Sequence, residues 1–323
     1  MSNIGVFPSF CWHFVKERGV LLLLKDAIME YELECKVRRL SQGTIDNYDR
    51  HLRYLRKYLE DEYGIMRLED VKPAHLKRFL LEKEDLGRKP QYINDLLKVF
   101  KTFFRYCVEE EYLKVSPAAK VKNVRQPKVL IRTFNEEEVL KMLNFHNGHD
   151  FISMRNKAML ALFFDTGMRL TEVMTMKDEQ IRDGHVVVWG KGSKERVVPC
   201  SPYLARMLMK YRIARDNYFE MKNTTPQAYF FLSYRGKAMT QESVAKMMKQ
   251  TAAAVNVRKD IRVSPHTCRH TFAHLQLKNG LDIYSLSRLL GHEHIGITQK
   301  YLNGIRDDEV LVAARQTGVL RNL

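Results

Sequence analysis

The sequence is poor in cysteine and in long apolar runs. Five of its 323 residues are cysteines and none forms a CxxC pair, which argues against a disulfide framework and favours reduced thiols. The run Val20–Leu24 is far shorter than the ~18 apolar residues of a membrane span. It borders Lys25 and Asp26 without a small-residue cleavage site after it, so no signal peptide is expected. Secreted, membrane and fibrous classes are set aside.

Acidic side chains are also in deficit. Asp and Glu number 38 against 54 Lys and Arg, a formal net charge of +16. The sequence pI is about 9.6. Residues 1–124 carry a net +4 and residues 125–323 a net +12. This charge makes nucleic acid a candidate partner, although a ribosomal or membrane surface would suit it equally. The length predicts two domains.

A basic stretch at residues 114–132 predicts an interdomain linker. It holds six basic and no acidic side chains, and Pro117 and Pro127 would interrupt any helix. Plain spacing would not require charge of one sign, so we expect this extended linker to contact phosphates. The basic residues are Lys114, Lys120, Lys122, Arg125, Lys128 and Arg132.

Before the linker, apolar residues recur at helical spacing. The pattern predicts helices at about 21–37, 45–63, 73–86 and 91–110. The aromatic stripe of the last helix is expected to be core. We therefore predict a compact four-helix domain over residues 25–113, preceded by an extension, residues 1–24, of unknown role.

After the linker the sequence is mostly helical, with a short sheet. His185–Trp189 and Glu195–Cys200 are β-branched runs that predict a hairpin, and Ile181 before the Asp183-Gly184 turn adds a third strand. Residues 133–323 are therefore predicted as an α-rich domain with a small three-stranded antiparallel sheet. Its helices are expected to begin at Asn135 and to cover about 154–164, 202–218, 241–255, 265–278 and 282–290.

Two segments of this domain carry reactive side chains that are ambiguous alone. In DTGMRLTEV, Arg169 precedes a helix and Glu172 lies one turn further, so alone Arg169 is expected to cap a helix C-terminus or to pair with Glu172. In LLGHEHIGITQKYLN, His292 follows a helix-ending glycine and Tyr301 comes nine residues later.

A third segment, SPHTCRHTFAH, is more specific. It places His266, Arg269 and His270 on one face at a helix start, where backbone N–H groups and the dipole favour a phosphate. The competing reading is zinc, because His266, His270 and His274 are spaced by four residues. No HEXXH motif is present, however, and Arg269 would repel a cation.

Taken together and in order, these motifs resemble the signature of the tyrosine recombinase (phage-type integrase) family. The resemblance extends from about Lys25 to the C-terminus and implies a SAM-like, core-binding front domain. The first ~20 residues match no known motif and are too few for the extra arm-site-binding domain of lambda-type integrases, so the expected layout is closer to Xer-type recombinases. The implied catalytic residues are Arg169, Lys191 in the GKGSKER turn, His266, Arg269, His292 and the nucleophile Tyr301, with Glu172 and His270 at accessory positions.

The resemblance implies a site-specific DNA recombinase or integrase that works through a 3′-phosphotyrosyl intermediate. A tyrosine with a pKa near 10 needs positive charge around it to react at pH 7. In this family the lysine matched by Lys191 is the general acid for the 5′ leaving oxygen. No carboxylate cluster and no GxxxxGK[ST] loop is present, so neither a metal, ATP nor another cofactor is expected. A type IB topoisomerase and a non-catalytic DNA-binding protein stay open as alternatives.

The implied partner is double-stranded DNA with inverted-repeat core sites, bound by a homotetramer, with a heterotetramer as the alternative. The apolar run Val310–Ala314 is expected to pack onto a neighbouring subunit; the alternative is packing on its own domain. The expected location is the cytoplasm of a prokaryote, on the nucleoid, without membrane attachment.

Overall fold

The computed structural model describes residues 22–126, 131–189 and 195–304. They form two compact units, divided between Lys128 and Val129 and called here the N-terminal and C-terminal units. The predicted fold class is confirmed: the chain is mostly α, with four helices in front and an α-rich second unit with a small sheet. The finer division at residues 24, 113 and 132 stays a prediction. In the described part of the chain, no helix is both long and apolar enough to cross a membrane.

The N-terminal unit consists of four helices around an aromatic core. They are α1 (Leu24–Val37), α2 (Gln42–Tyr63), α3 (Pro73–Asp85) and α4 (Pro90–Glu109). Proline at the first position of α3 and of α4 fits a helix start, because its missing N–H would have no partner there. The predicted stripe of α4 is buried, with Phe100, Phe103 and Phe104 fully inside.

The first part of the predicted linker belongs to this unit. The sequence predicts an extended segment, but Ala118 and Val121 are buried in the core of the four helices. Asn94 fixes the following backbone, since its side chain exchanges two hydrogen bonds with Val124 (2.8 and 2.9 Å). Apolar burial thus attaches the chain to the N-terminal unit as far as Val124.

The C-terminal unit surrounds one largely buried helix. It contains α5 (Glu136–Phe145), α6 (Phe151–Thr166), α7 (Leu170–Met174), α8 (Pro202–Met221), α9 (Gln241–Ala254), α10 (Pro265–Lys278) and α11 (Ile283–Leu290). Helix α6 packs against α5, α8 and α10. It begins three residues before its predicted start, because Asp150 accepts hydrogen bonds from the backbone N–H groups of Ile152 and Ser153.

The sheet of this unit is antiparallel, in the order β1 (Ile181–Arg182), β2 (His185–Trp189) and β3 (Glu195–Pro199). All three strands were predicted. In the hairpin Val188 pairs with Arg196 and Trp189 with Glu195. The turn that carries Lys191 lies outside the described residues, and so does Lys128 of the linker.

Candidate active site

The site is built at the C-terminal end of α11, where three arginines converge. Gly291 ends the helix with φ +64°, which leaves the last carbonyl oxygens without helical partners. Each of three successive carbonyls accepts from a different arginine: Leu289 from Arg196 Nε (2.9 Å), Leu290 from Arg269 Nη2 (2.6 Å) and Gly291 from Arg169 Nη2 (3.1 Å). The negative end of the helix dipole favours cations at this place.

Arg269 is the most deeply placed of the three. It is 3% exposed, and its Nη1 donates to the carbonyl of Gly167 (2.8 Å), where α6 ends. Gly167 has φ +60°, and a Cβ there would lie 2.5 Å from a ring carbon of Phe272. Burial, together with the charge of Arg169, lowers the pKa of Arg269 to about 10, so the guanidinium stays charged at pH 7.

Arg169 and Glu172 form the predicted ion pair, and Glu172 also caps the start of α7. Glu172 Oε2 accepts from the backbone N–H of Arg169 (2.8 Å), and Oε1 accepts from Nη1 of the same arginine (3.0 Å). Burial favours a raised pKa for Glu172, but hydrogen bonds from Arg196 and Arg169, with the charge of Arg196, hold it below the ordinary value. The carboxylate is therefore ionised.

His292 is held in one tautomer. Arg269 Nη2 can only donate, so His292 Nε2 accepts this hydrogen bond (2.9 Å) and the ring proton is on Nδ1. Nδ1 then donates to Thr298 Oγ1 (2.8 Å). Burial and the charges of Arg269 and Arg169 lower the pKa of His292 to about 4, so the ring is neutral at pH 7.

Two histidines of α10 lie beside the tyrosine. The rings of His266 and His270 are 4.2 Å apart between centroids, and His270 Nδ1 is 3.1 Å from the Tyr301 hydroxyl. Burial lowers the pKa of His266, and burial with the neighbouring His266 and Arg269 lowers that of His270 to about 4. Both rings are therefore neutral at pH 7.

Tyr301 is largely closed off from solvent. It is 6% exposed and packs with Phe272, Ala273, Leu286 and Leu290. Burial raises the pKa of Tyr301, and the positive charge of Arg269 acts against this rise. A buried, neutral phenol is thus held within the range of positive charge.

The structure brings together seven of the eight predicted site residues. They are Arg169, Glu172, His266, Arg269, His270, His292 and Tyr301; the eighth, Lys191, lies outside the described residues. Among the residues described, no three His, Cys, Asp or Glu side chains converge as metal ligands, so the zinc interpretation has no geometric support. Sequence reasoning missed Arg196 and Thr298.

Chemically, this arrangement is an anion site with a nucleophile beside it. Guanidinium groups bind phosphate oxygens through paired N–H donors, and a tyrosine hydroxyl beside them is of a kind that can act as a nucleophile. Fixed positive charge at a transferring phosphoryl group stabilises the transition state. The fold and the site together are those expected of an enzyme that acts on a phosphodiester.

Comparisons with known proteins give the family. The model of the phage integrase family matches residues 132–305, and that of the phage integrase N-terminal SAM-like domain matches residues 30–111. The tyrosine recombinase XerD of Halalkalibacterium halodurans is 32% identical over 266 residues, which cover 82% of this chain and 88% of the relative. The XerD of Staphylococcus epidermidis is 31% identical over 264 residues, covering 81% and 88%.

Solved structures share the fold. The XerH site-specific recombinase bound to a palindromic difH substrate, in a post-cleavage complex, aligns with a TM-score of 0.71 at 20% identity, over 90% of this chain and 85% of that one. The Tn1549 transposon integrase in complex with transposon right end DNA aligns at 0.69 and 18% identity, over 91% and 99%. The chain belongs to the phage integrase family of tyrosine recombinases, and it is a site-specific recombinase enzyme with a SAM-like front domain.

Proposed function

We propose that the chain cleaves and rejoins double-stranded DNA through a covalent bond between Tyr301 and a 3′ phosphate. The observation that carries this proposal is the meeting of Tyr301, Arg169 and Arg269 around the end of α11. The recombinases of similar fold are bound to DNA in their solved complexes, which supports DNA as the partner.

The proposed reaction begins with attack of Tyr301 Oη on the scissile phosphorus. The new P–O bond to tyrosine forms as the P–O5′ bond breaks, and the electron pair goes to O5′. His270 Nδ1, within hydrogen-bond distance of the hydroxyl, accepts the phenolic proton. An arriving phosphate raises the pKa of this histidine, because its negative charge favours the protonated ring.

The leaving oxygen needs a proton, and Lys191 supplies it in this proposal. Arg169, Arg269 and His266 bind the non-bridging oxygens, whose charge grows in the transition state. His292 joins them once its Nε2 carries a proton, which the negative charge of the phosphate favours. The Arg269–His292 hydrogen bond must open when phosphate takes its place. The reverse attack by a 5′-hydroxyl rejoins the strand, so the bond energy is conserved without ATP. In this proposal the arginines supply the positive charge beside the phosphate, so the reaction uses no metal ion.

The assembly and the basic linker belong to the same proposal. Two protein copies on each of two inverted-repeat core sites give a tetramer. The tail expected to join its subunits, residues 305–323, lies outside the described residues. The linker's lysines and arginines between Lys114 and Arg132 supply phosphate contacts, which release counterions and make binding salt-dependent.

Covalent capture tests the proposal. Purified protein is incubated with sheared genomic DNA of its source organism and denatured in detergent. DNA that stays attached is recovered and sequenced to define the site. A nicked suicide duplex of that site then gives the rate of adduct formation. We expect adduct in the wild type, with or without EDTA, and none in Tyr301→Phe, which removes only the nucleophilic oxygen.

Tyr284→Phe is the matched control, since Tyr284 lies in α11 and its side chain is 63% exposed. It should form adduct at the wild-type rate. Adduct in Tyr301→Phe would mean that another tyrosine is the nucleophile. Adduct formation that EDTA abolishes would contradict the metal-free reaction.

A further inference from the structure

We propose that Arg196 is a positioning residue for strand cleavage, and this rests on the proposed function. It acts by saturating Glu172, so that the charge of Arg169 remains available to the scissile phosphate. It also attaches β3, the strand that follows the Lys191 turn, to the end of α11.

Arg196 donates hydrogen bonds from all three nitrogen atoms of its guanidinium group. Nη1 donates to Glu172 Oε1 (2.9 Å) and Nη2 to Glu172 Oε2 (2.7 Å). Nε donates to the carbonyl of Leu289 (2.9 Å). The side chain is 11% exposed and that of Glu172 is 8% exposed, so the pair is shielded from solvent. A lysine could not make this bidentate contact.

Arg196 completes the hydrogen bonding of the buried carboxylate. A carboxylate offers about four acceptor positions. Arg169 fills two of them, through its backbone N–H and Nη1, and Arg196 fills the other two. Without Arg196, half of these positions would be empty, and the ionised carboxylate would pull on Arg169 alone.

The charge balance points the same way. Arg169, Glu172 and Arg196 together carry one net positive charge. Removing Arg196 leaves a neutral Arg169–Glu172 pair, and a neutral pair attracts a phosphate far less than a cation does. Arg196 therefore contributes to transition-state stabilisation without touching the reacting atoms.

The packing of Arg196 also fixes the end of α11. A Cβ on Gly291 would lie 3.0 Å from Arg196 Cδ and 3.1 Å from its Nη1, so the arginine lies directly against this glycine. Residues 289–291 hold Arg196, Arg269 and Arg169 in turn, and His292 follows at once. Movement of Arg196 would therefore be transmitted to the backbone that orients both catalytic arginines.

The C-terminal unit offers a matched control. Arg215 is equally buried, with a side chain 9% exposed, and donates to Asp178, Asp216 and the carbonyl of Phe230. None of its recorded partners belongs to the candidate active site. Its loss removes a buried, ion-paired guanidinium from the same unit and leaves the α11 end intact.

The test compares two suicide duplexes, one with the natural scissile phosphodiester and one with a methylphosphonate there. The methyl group removes one negative charge, so the reaction depends less on arginine. With saturating DNA, we expect Arg196→Ala to cleave the phosphodiester about 30-fold more slowly, below the loss for a direct donor. On methylphosphonate the deficit should shrink to about threefold or less. Arg169→Ala should show the same pattern, and Arg215→Ala no deficit on either substrate.

Arg196→Lys keeps the charge with fewer hydrogen bonds, so its phosphodiester rate should lie between those of wild type and Arg196→Ala. If Arg196→Ala loses cooperative thermal unfolding, the rates of Arg196→Lys on the two substrates test the inference instead. A wild-type rate in Arg196→Ala, or an equal deficit on both substrates, would overturn the inference and leave Arg196 a merely structural residue. Absence of adduct in the wild type would instead contradict the proposed function itself.

Discussion

The two units of the chain bury different kinds of side chain. Among the described residues, His51 is the one buried polar side chain of the N-terminal unit, whereas the C-terminal unit buries eleven. The first unit is held by aromatic and aliphatic packing. The second also encloses charged groups such as Arg269, which must be paired at a cost in desolvation. Buried polar side chains are therefore concentrated in the unit that holds the candidate active site.

The largest expected effect concerns stability in the N-terminal unit. Phe100 is fully buried in α4 beside Phe79, so Phe100→Ala should lower the free energy of unfolding by about 3–5 kcal/mol. Urea unfolding followed by circular dichroism measures this loss. Adduct formation by folded, DNA-saturated protein should stay at the wild-type rate.

Leu81→Ala, at an exposed position of α3, is the control and should change stability by less than about 0.5 kcal/mol. A strong loss of cleavage in folded Phe100→Ala would break the comparison, because it would place chemistry in the apolar unit as well.

The next effect concerns catalysis in the C-terminal unit. Arg269→Ala should slow adduct formation a hundredfold or more, since a preorganised charge at the transition state contributes about 3–4 kcal/mol. The control is Arg155→Ala, which removes another buried guanidinium, bonded to the carbonyl of Leu232 and to Asn156. Folded Arg155→Ala should cleave normally, although it should unfold more easily. Equal rate losses in both variants would mean that buried charge in general, and not this site, limits the reaction.

The smallest effect is the response to pH. The pKa of His270 and of His292 is about 4 in the folded chain, against about 6.5 when unfolded. Below pH 6.5 the unfolded state binds protons that the folded state does not, so stability falls as the pH drops towards 4. The loss should be on the order of 1–2 kcal/mol for both rings, discounted for their partial exposure.

Thermal unfolding of the wild type, His270→Asn and His292→Asn between pH 7 and pH 4 measures this response. Each variant should show a shallower decline than the wild type, because one titrating ring is gone. Parallel curves would show that these rings do not supply the pH dependence.

The same contrast explains what could be predicted from the sequence. Helix α4 carries a regular apolar stripe, and periodicity predicts such a helix without knowledge of its partners. Helix α6 is largely buried and lacks a clear apolar stripe, so its start was set three residues too late. Burial of Ala118 and Val121 depends on contacts with distant helices, which no local pattern reveals.

In the candidate site, too, some residues could be predicted from the sequence and others could not. The resemblance supplied the residues from Arg169 to Tyr301 because their order along the chain is characteristic. Arg196 makes its contacts across 24 and 93 residues, which spacing does not show. One local signal did exist: Arg196 lies on the same strand face as the buried Val198. A basic residue at an inward position of a strand indicates a buried acidic partner.

The side chain of Tyr301 is buried in an apolar cluster, where DNA cannot reach its hydroxyl unless the site opens. Under the proposed reaction, only the fraction of molecules with an open site can engage a scissile phosphate, so the apparent Kd rises as that fraction falls. A duplex of random sequence offers phosphate contacts but little else to shift the equilibrium from the closed to the open site. Under the same proposal, base contacts at a cognate site would supply binding energy that favours the open form. Burial of the proposed nucleophile would thus limit strand cleavage at non-cognate DNA.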